Sequence, residues 1–185
     1  MQEIIPTFET QRLILKEITI EDAPAYQKYF ADYEVIQHLS NRVPWPYPED
    51  GAHQFIENFL IPNQGKGQWA WGIFLKTNPN ELIGCIELFE SNSTENRGFW
   101  LGKKFWGQGL MTEAVVPVMD YAFNKLGFTK MILANALGNT RSRRVKEKTL
   151  GRLIEVKPFK FVGSQYTESE FWEVTKEEWE AFKKS

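Results

Sequence analysis

The sequence predicts a mixed α/β domain: a mostly antiparallel sheet of about six or seven strands, flanked by helices. Three observations point to it. Three β-type runs (residues 69–75, 81–90 and 97–101) follow one another across short turns, as in an antiparallel meander. Between residues 99 and 137 a strand, a glycine turn, a helix and a further strand come in that order, which inserts one crossover into the meander. Nothing repeats and no linker breaks the chain, so residues 1–185 are expected to form one domain with a sizeable core.

Residues 12–16 (Arg-Leu-Ile-Leu-Lys) form a short β-type run. Thr19 with Asp22 three residues on signals a helix start, and the helix is expected to reach about Tyr33. Residues 43–48 carry three prolines, which fix φ and remove donors, so they form an extended loop bearing Trp45 and Tyr47. A second helix is expected over 49–60 and a turn over 63–67. The strand at 69–75 should end at a turn over 78–80, and the strand at 81–90 at the polar loop 91–96. In helix 112–126, Val115, Met119, Ala122 and Leu126 recur on one face, and Gly127 stops it. Then come a strand at 130–137, a basic helix at 139–149, a hairpin of 152–161 and 171–175, and a terminal helix at 176–184.

Composition narrows the function classes. The 22 basic and 24 acidic residues leave a net charge of −2, which argues against general nucleic-acid binding. A single cysteine, Cys85, forms neither an internal disulfide nor a cysteine metal cluster, and its apolar run suggests an inert buried thiol. His38 and His53 lack metal-site spacing, so no metal is expected. The chain opens on no signal-like segment and contains no run long enough for a membrane span, so a cytoplasmic location with no membrane partner is expected. Aromatic residues make up 15% of the chain, enough for an aromatic core or an apolar cleft.

The most informative stretch is Trp106-Gly-Gln-Gly-Leu-Met-Thr-Glu-Ala114. A Gly-X-Gly turn opening a helix presents unpaired N–H groups at the positive end of the macrodipole, a ready site for phosphate. It is not a dinucleotide fingerprint, because Thr112 stands where the third glycine belongs, and it is not a Walker A loop. A second ordered motif follows: Asn139-Thr-Arg-Ser142-Arg-Arg-Val145-Lys-Glu-Lys148.

These motifs resemble the GNAT (Gcn5-related) N-acetyltransferase superfamily, whose cofactor loop reads Gln/Arg-x-x-Gly-x-Gly/Ala. The Trp-Gly-x-Gly form, with Glu9-Thr-Gln-Arg-Leu-Ile-Leu15 at the front, is most similar to the Rim-type branch of ribosomal-protein N-terminal acetyltransferases. The resemblance spans about residues 8–175. It implies a sheet with a central splay, acetyl-CoA as donor substrate, and direct transfer to a primary amine. The amine is a protein N-terminus or, alternatively, a small molecule such as a polyamine, amino sugar or amino acid. A CoA-binding module without catalysis is the other alternative, and monomer and homodimer both stay open. By the same resemblance, Trp106, Gly107, Gln108, Gly109, Leu110, Met111 and Thr112 cradle the pyrophosphate. Trp100 and Leu101 lie along the pantetheine arm, Asn139 hydrogen-bonds it, and Ser142 lies near the thioester sulfur.

Each of these residues has a plainer reading beside the functional one. Asn139 is also a good helix cap. Arg141, Arg144 and Lys148 share one helix face; all three are candidates for the 3′-phosphate of CoA, or the face is merely solvated, and Lys103 and Lys104 are equally ambiguous. Glu87 is the candidate base, because it interrupts an apolar strand on the side of Cys85 and Phe89. Trp45, Tyr47 and Tyr166 are candidates to bound the acceptor cleft, or to cover core. Two departures from the family pattern stand out. Leu150-Gly151 reverses the usual order, and a left-handed Leu150 is costly, so a different helix end is expected. Pro117 is expected to kink the cofactor helix.

Overall fold

The β-type runs assemble side by side into one eight-stranded sheet among the described residues, in the order β1-β2-β3-β4-β5-β6-β8-β7. The strands are β1 (Phe8–Glu9), β2 (Leu13–Glu17), β3 (Gln68–Leu75), β4 (Asn78–Phe89), β5 (Arg97–Leu101), β6 (Lys130–Ala136), β7 (Arg152–Pro158) and β8 (Glu168–Thr175). This computed structural model describes residues 4–90 and 92–184, so Ser91 of the expected loop lies outside the described residues. Every neighbouring pair is antiparallel except β5 with β6.

Helices cover both faces. On one, α5 (Leu110–Asn124) crosses the sheet, and its Tyr121 meets Trp71 edge-on at 5.6 Å. On the other, α1 (Ala23–Phe30) sets Tyr26 and Phe30 against Trp100 of β5, at 4.7 and 5.1 Å. The aromatic content therefore fills two layers of core. A capping box between Thr175 and Glu178 starts α7 (Lys176–Phe182), whose buried Trp179 donates to Asp120 of α5 at 2.7 Å. No helix among the described residues is long and apolar enough to cross a membrane.

Several expected boundaries are corrected. The helix expected over 19–33 is a 3₁₀ turn (Ile20–Asp22), α1 and a separate α2 (Tyr33–Ile36). Ala31 leaves the helical region at ψ 39°, and extended Asp32 then caps α2 by accepting from the Glu34 N–H at 2.9 Å. The second helix starts as α3 (Gly51–Phe55), widens to a π-helical stretch (Ile56–Leu60) and closes as α4 (Ile61–Asn63). The β3–β4 turn falls on Lys76-Thr77, not on 78–80, and Pro79 occupies an exposed strand start where its missing donor is tolerated.

The third helix begins at Leu110, two residues earlier than its apolar pattern, and runs unbroken through Pro117. The end of α6 (Thr140–Lys148) also differs from expectation, since Leu150 does take the left-handed conformation, at φ 63°. The close of the helix requires it. Gly151 N–H reaches back to the Lys146 carbonyl at 2.7 Å, and a Cβ on Gly151 would sit only 3.0 Å from that oxygen. Packing of the Leu150 side chain against the core offsets the strain.

Candidate functional site

The glycine turn has the geometry its residues suggested. Gly107 and Gly109 are left-handed, at φ 73° and 74°. Gly109 is the N-cap of α5 and brings no side chain to cap it. The first helical bond closes from Glu113 N–H to the Gly109 carbonyl at 3.1 Å, so the N–H groups of Leu110, Met111 and Thr112 precede any helical acceptor. The side chains of Leu110 and Met111 are buried, which is why they need not be polar. A Cβ on Gly107 would meet nothing within 4 Å. Open space above, free donors and the positive end of a 15-residue helix fit a pyrophosphate.

A brace that sequence reasoning missed holds this turn. Arg12 Nε lies 2.7 Å from Glu113 Oε2, and its Nη1 donates to the Gln108 carbonyl at 2.9 Å. The Arg12 backbone N–H and the Thr10 hydroxyl both donate to Glu113 Oε1, at 2.7 and 2.5 Å. If the turn holds the donor that the family resemblance implies, Arg12→Ala raises KM for acetyl-CoA by about 10-fold, with kcat changed less than about twofold, in steady-state assays of thiol release.

Beside the turn, the sheet opens. Parallel strands β5 and β6 pair at one rung only, Arg97 with Leu133. Beyond it, the backbone groups that β5 turns toward β6 have no strand partner. An amide-rich arm can add there as a strand would. Trp100 and Leu101 belong to this edge, and the Trp106 indole N–H donates to the Leu101 carbonyl at 2.7 Å. The Arg141 guanidinium stacks on Trp106 at 3.8 Å. Arg144, Lys148, Lys103 and Lys104 are exposed.

Glu87 lies on the α1 face of β4 with Cys85 and Phe89, as alternation required. It is half-buried, and Gln68 Nε2 donates to its Oε1 at 3.2 Å. Loss of water raises its pKa to about 7, and the nearby Glu95 pushes the same way. Glu95 itself is raised by burial, although the Ala134 N–H and Lys146 favour its charge. The Cys85 thiol is pushed up by burial, which keeps it protonated and inert. Tyr26 and Trp100 enclose the Glu87 side of the sheet.

Helix α6 closes the opposite wall. Asn139 does cap it, accepting from the Ser142 N–H at 3.3 Å. Ser142 is half-buried, and its Oγ accepts from Lys146 Nζ at 2.9 Å. Sequence reasoning missed Lys146, Glu95 and Arg97. The i, i+4 spacing of Ser142 and Lys146 was the available signal, because it sets both on one face.

The acceptor candidates divide. Tyr166 accepts from or donates to His38 Nε2 at 3.0 Å, and both line a cavity of about 190 Å³ with Glu34, Gln37, Asn139 and Arg141. Burial lowers the His38 pKa, and Arg141 adds to that. Glu34 pairs with Lys103 at the rim. Tyr47 packs edge-on against Phe30 at 5.0 Å, in the aromatic group that includes Trp100. Trp45 packs at a tilt against Tyr33 instead, at 5.1 Å, and stays 44% exposed, outside this grouping. His53 is exposed, 3.6 Å from Glu57, and belongs to the surface.

The family model described as acetyltransferase (GNAT) domain matches residues 12–149. The uncharacterized N-acetyltransferase p20 of Bacillus licheniformis is 27% identical over 179 residues, covering 86% of this chain and 98% of that one. RimJ of Mycobacterium smegmatis, solved in complex with CoA-disulfide, superposes with a TM-score of 0.78 at 16% identity, over 93% of this chain and 88% of that one. The ribosomal-protein-S5-alanine acetyltransferase of Vibrio fischeri gives 0.77 at 15% identity, over 94% and 98%. At such identities the two structures establish the shared fold.

Proposed function

This chain belongs to the GNAT acetyltransferase family and is an N-acetyltransferase; from that premise we propose that it moves an acetyl group from acetyl-CoA directly to a protein N-terminal amine. The observation that carries the proposal is the pairing of two features. A left-handed glycine turn opens α5, and beside it two parallel strands share a single rung. The first suits the pyrophosphate, from Trp106 to Thr112, and the second the pantetheine arm along Trp100 and Leu101. Asn139 would meet the arm from α6, and Arg144 the 3′-phosphate.

The donor supplies the acetyl thioester, and this chain's residues supply the proton handling. Glu87, ionised above about pH 7, takes a proton from the attacking amine nitrogen. Ser142 gives one to the leaving sulfur. A serine nucleophile is disfavoured, because among the described residues Ser142 has no histidine or carboxylate hydrogen-bonded to it to take its proton, and the Lys146 ammonium donates to its oxygen. Glu87 also counts against a mere CoA-binding module, since a half-buried carboxylate whose pKa is raised to about 7 is poised for proton transfer.

Support for a protein N-terminus comes from the Rim-type likeness in fold. One observation favours a small amine instead. The loops at 37–43 and 159–163 are joined by backbone bonds, Asn41 N–H to the Lys160 carbonyl at 3.0 Å and Val162 N–H to the Leu39 carbonyl at 2.9 Å. The first of these loops carries His38, and the second leads to Tyr166, whose N–H donates to the Gly163 carbonyl at 2.9 Å, so their cavity of about 190 Å³ has a tied wall; so small a pocket suits a small ligand. We place the activity in one domain, residues 1–185, in the cytoplasm. Thiol release from acetyl-CoA, measured across peptides with different N-terminal residues and across small amines, separates the readings. Peptide-dependent release is expected. Release with small amines only would replace the acceptor, and CoA binding without release would leave a binding module.

A further inference from the structure

Lys146 is 1% exposed, yet among the described residues it makes no ion pair. The acidic groups around it are engaged elsewhere. Glu170 of β8 holds Arg143 of α6 at 2.7 Å and Asn135 of β6 at 2.8 Å. Glu95, on the segment leading into β5, turns its carboxylate to the Ala134 N–H. Arg97 of β5 faces Lys146 as a like charge, with its Nη1 on the Met119 sulfur at 3.0 Å. The Phe99 ring of β5 lies 5.4 Å from Nζ. A buried ammonium is costly unless it is paired. This one directs its hydrogen bond to the hydroxyl of half-buried Ser142, at 2.9 Å, where α6 meets the open edge of the sheet.

We propose that Lys146 is the positioning residue behind Ser142: its ammonium holds the Ser142 oxygen as acceptor, leaves the hydroxyl proton for the departing sulfur, and replaces that proton once given. The proposal rests on the reading above that Ser142 faces the thioester. In the step, the amine nitrogen forms the bond to the acetyl carbon and the carbon–sulfur bond breaks, its electron pair going to sulfur. The Ser142 proton passes to sulfur and a Lys146 proton passes to Ser142 Oγ, while Glu87 receives the proton lost by the amine. Solvent afterwards takes the proton from Glu87 and returns one to Lys146.

A hydroxyl alone is a weak acid, and a cation donating to its oxygen makes it a stronger one. Burial first, and Arg97 second, lower the Lys146 pKa to about 7, while Glu95 and Glu170 act against them. The ammonium is thus ready to release a proton at neutral pH.

The test uses CoA itself, so it needs no acceptor. The thiol of CoA bound to the intact protein is titrated by thiolate ultraviolet absorbance for wild type, Lys146→Met and Ser142→Ala. In wild type it should ionise about 1 pH unit lower than in either variant. In turnover, Lys146→Met should lower kcat about 10-fold, leave KM for acetyl-CoA within about twofold, and remove the fall of kcat above pH 7. CoA bound to Lys146→Met with its thiol titrating as in wild type, while Ser142→Ala shifts it, would overturn the Lys146 assignment alone. If Lys146→Met does not fold, Ser142→Ala decides, because a thiol still ionising as in wild type overturns the relay. Wild type that binds no CoA overturns the proposed function and this inference together.

Discussion

Glu87→Gln lowers kcat by about 10²- to 10³-fold, within the range for loss of a positioned general base. The substitution keeps the shape of the side chain and its place beside Gln68, so KM for acetyl-CoA changes little. The pH profile carries the diagnosis. A base must be ionised, so wild-type kcat rises as pH climbs toward about 7, the value to which burial and Glu95 bring Glu87, and falls again above it as Lys146 loses its proton. The variant loses that rising limb, and an unchanged limb would remove Glu87 as the base.

Stability moves the other way. The native state holds the Glu87 proton more tightly than the unfolded chain, whose carboxyl titrates near 4.5. Between those values the folded protein binds more protons, so its stability falls as pH rises from about 4.5 to 7, and the penalty is complete above 7. Glu87→Gln should therefore melt higher than wild type at pH 8, with little difference at pH 4. Heat denaturation at the two pH values checks this.

The second large effect is on the donor site. Gly109→Val raises the Kd of acetyl-CoA by about 100-fold in isothermal titration. The space is available, since a Cβ at 109 would sit 3.7 Å from the Arg12 guanidinium, an ordinary contact. The backbone is the obstacle. At φ 74°, an L side chain costs about 1–2 kcal/mol, and more if β-branched. Relaxing it rotates the peptide that aims the first free N–H groups of α5, and misaimed donors lose the phosphate interaction. Ala at Gly107, also left-handed but facing open space, should weaken binding less. Unchanged affinity in Gly109→Val would reject the phosphate-loop assignment.

The local geometry of the candidate donor site is far more legible in the sequence than the rest of the candidate site, for a physical reason. Gly107, Gly109 and Asn139 act through local backbone geometry, and local geometry is what residue type and spacing encode. The strand alternation that set Glu87 beside Cys85 is equally local. Glu95, Arg97 and Lys146 escaped notice because only the assembled fold buries them. In the linear chain, a charge on a basic helix reads as solvated. β1, two residues long, is too short to show a period. The break at Ala31 is set by its backbone and by the cap at Asp32, inside a stretch that reads as one helix. Leu150 shows the limit most clearly: propensity argued against a left-handed leucine, and tertiary packing overrode it.

The single rung between β5 and β6 also bears on how the protein is built. A continuous sheet carries its strands as one fabric, whereas this one is two panels with an unsewn seam. On the proposed reading the donor's amide arm would run where the stitches are missing, and occupancy and cohesion would become one quantity. Each tenfold rise in free acetyl-CoA above its Kd adds about 1.4 kcal/mol to the folded state. The level of acetyl-CoA around the protein would then add to how firmly its two panels hold together.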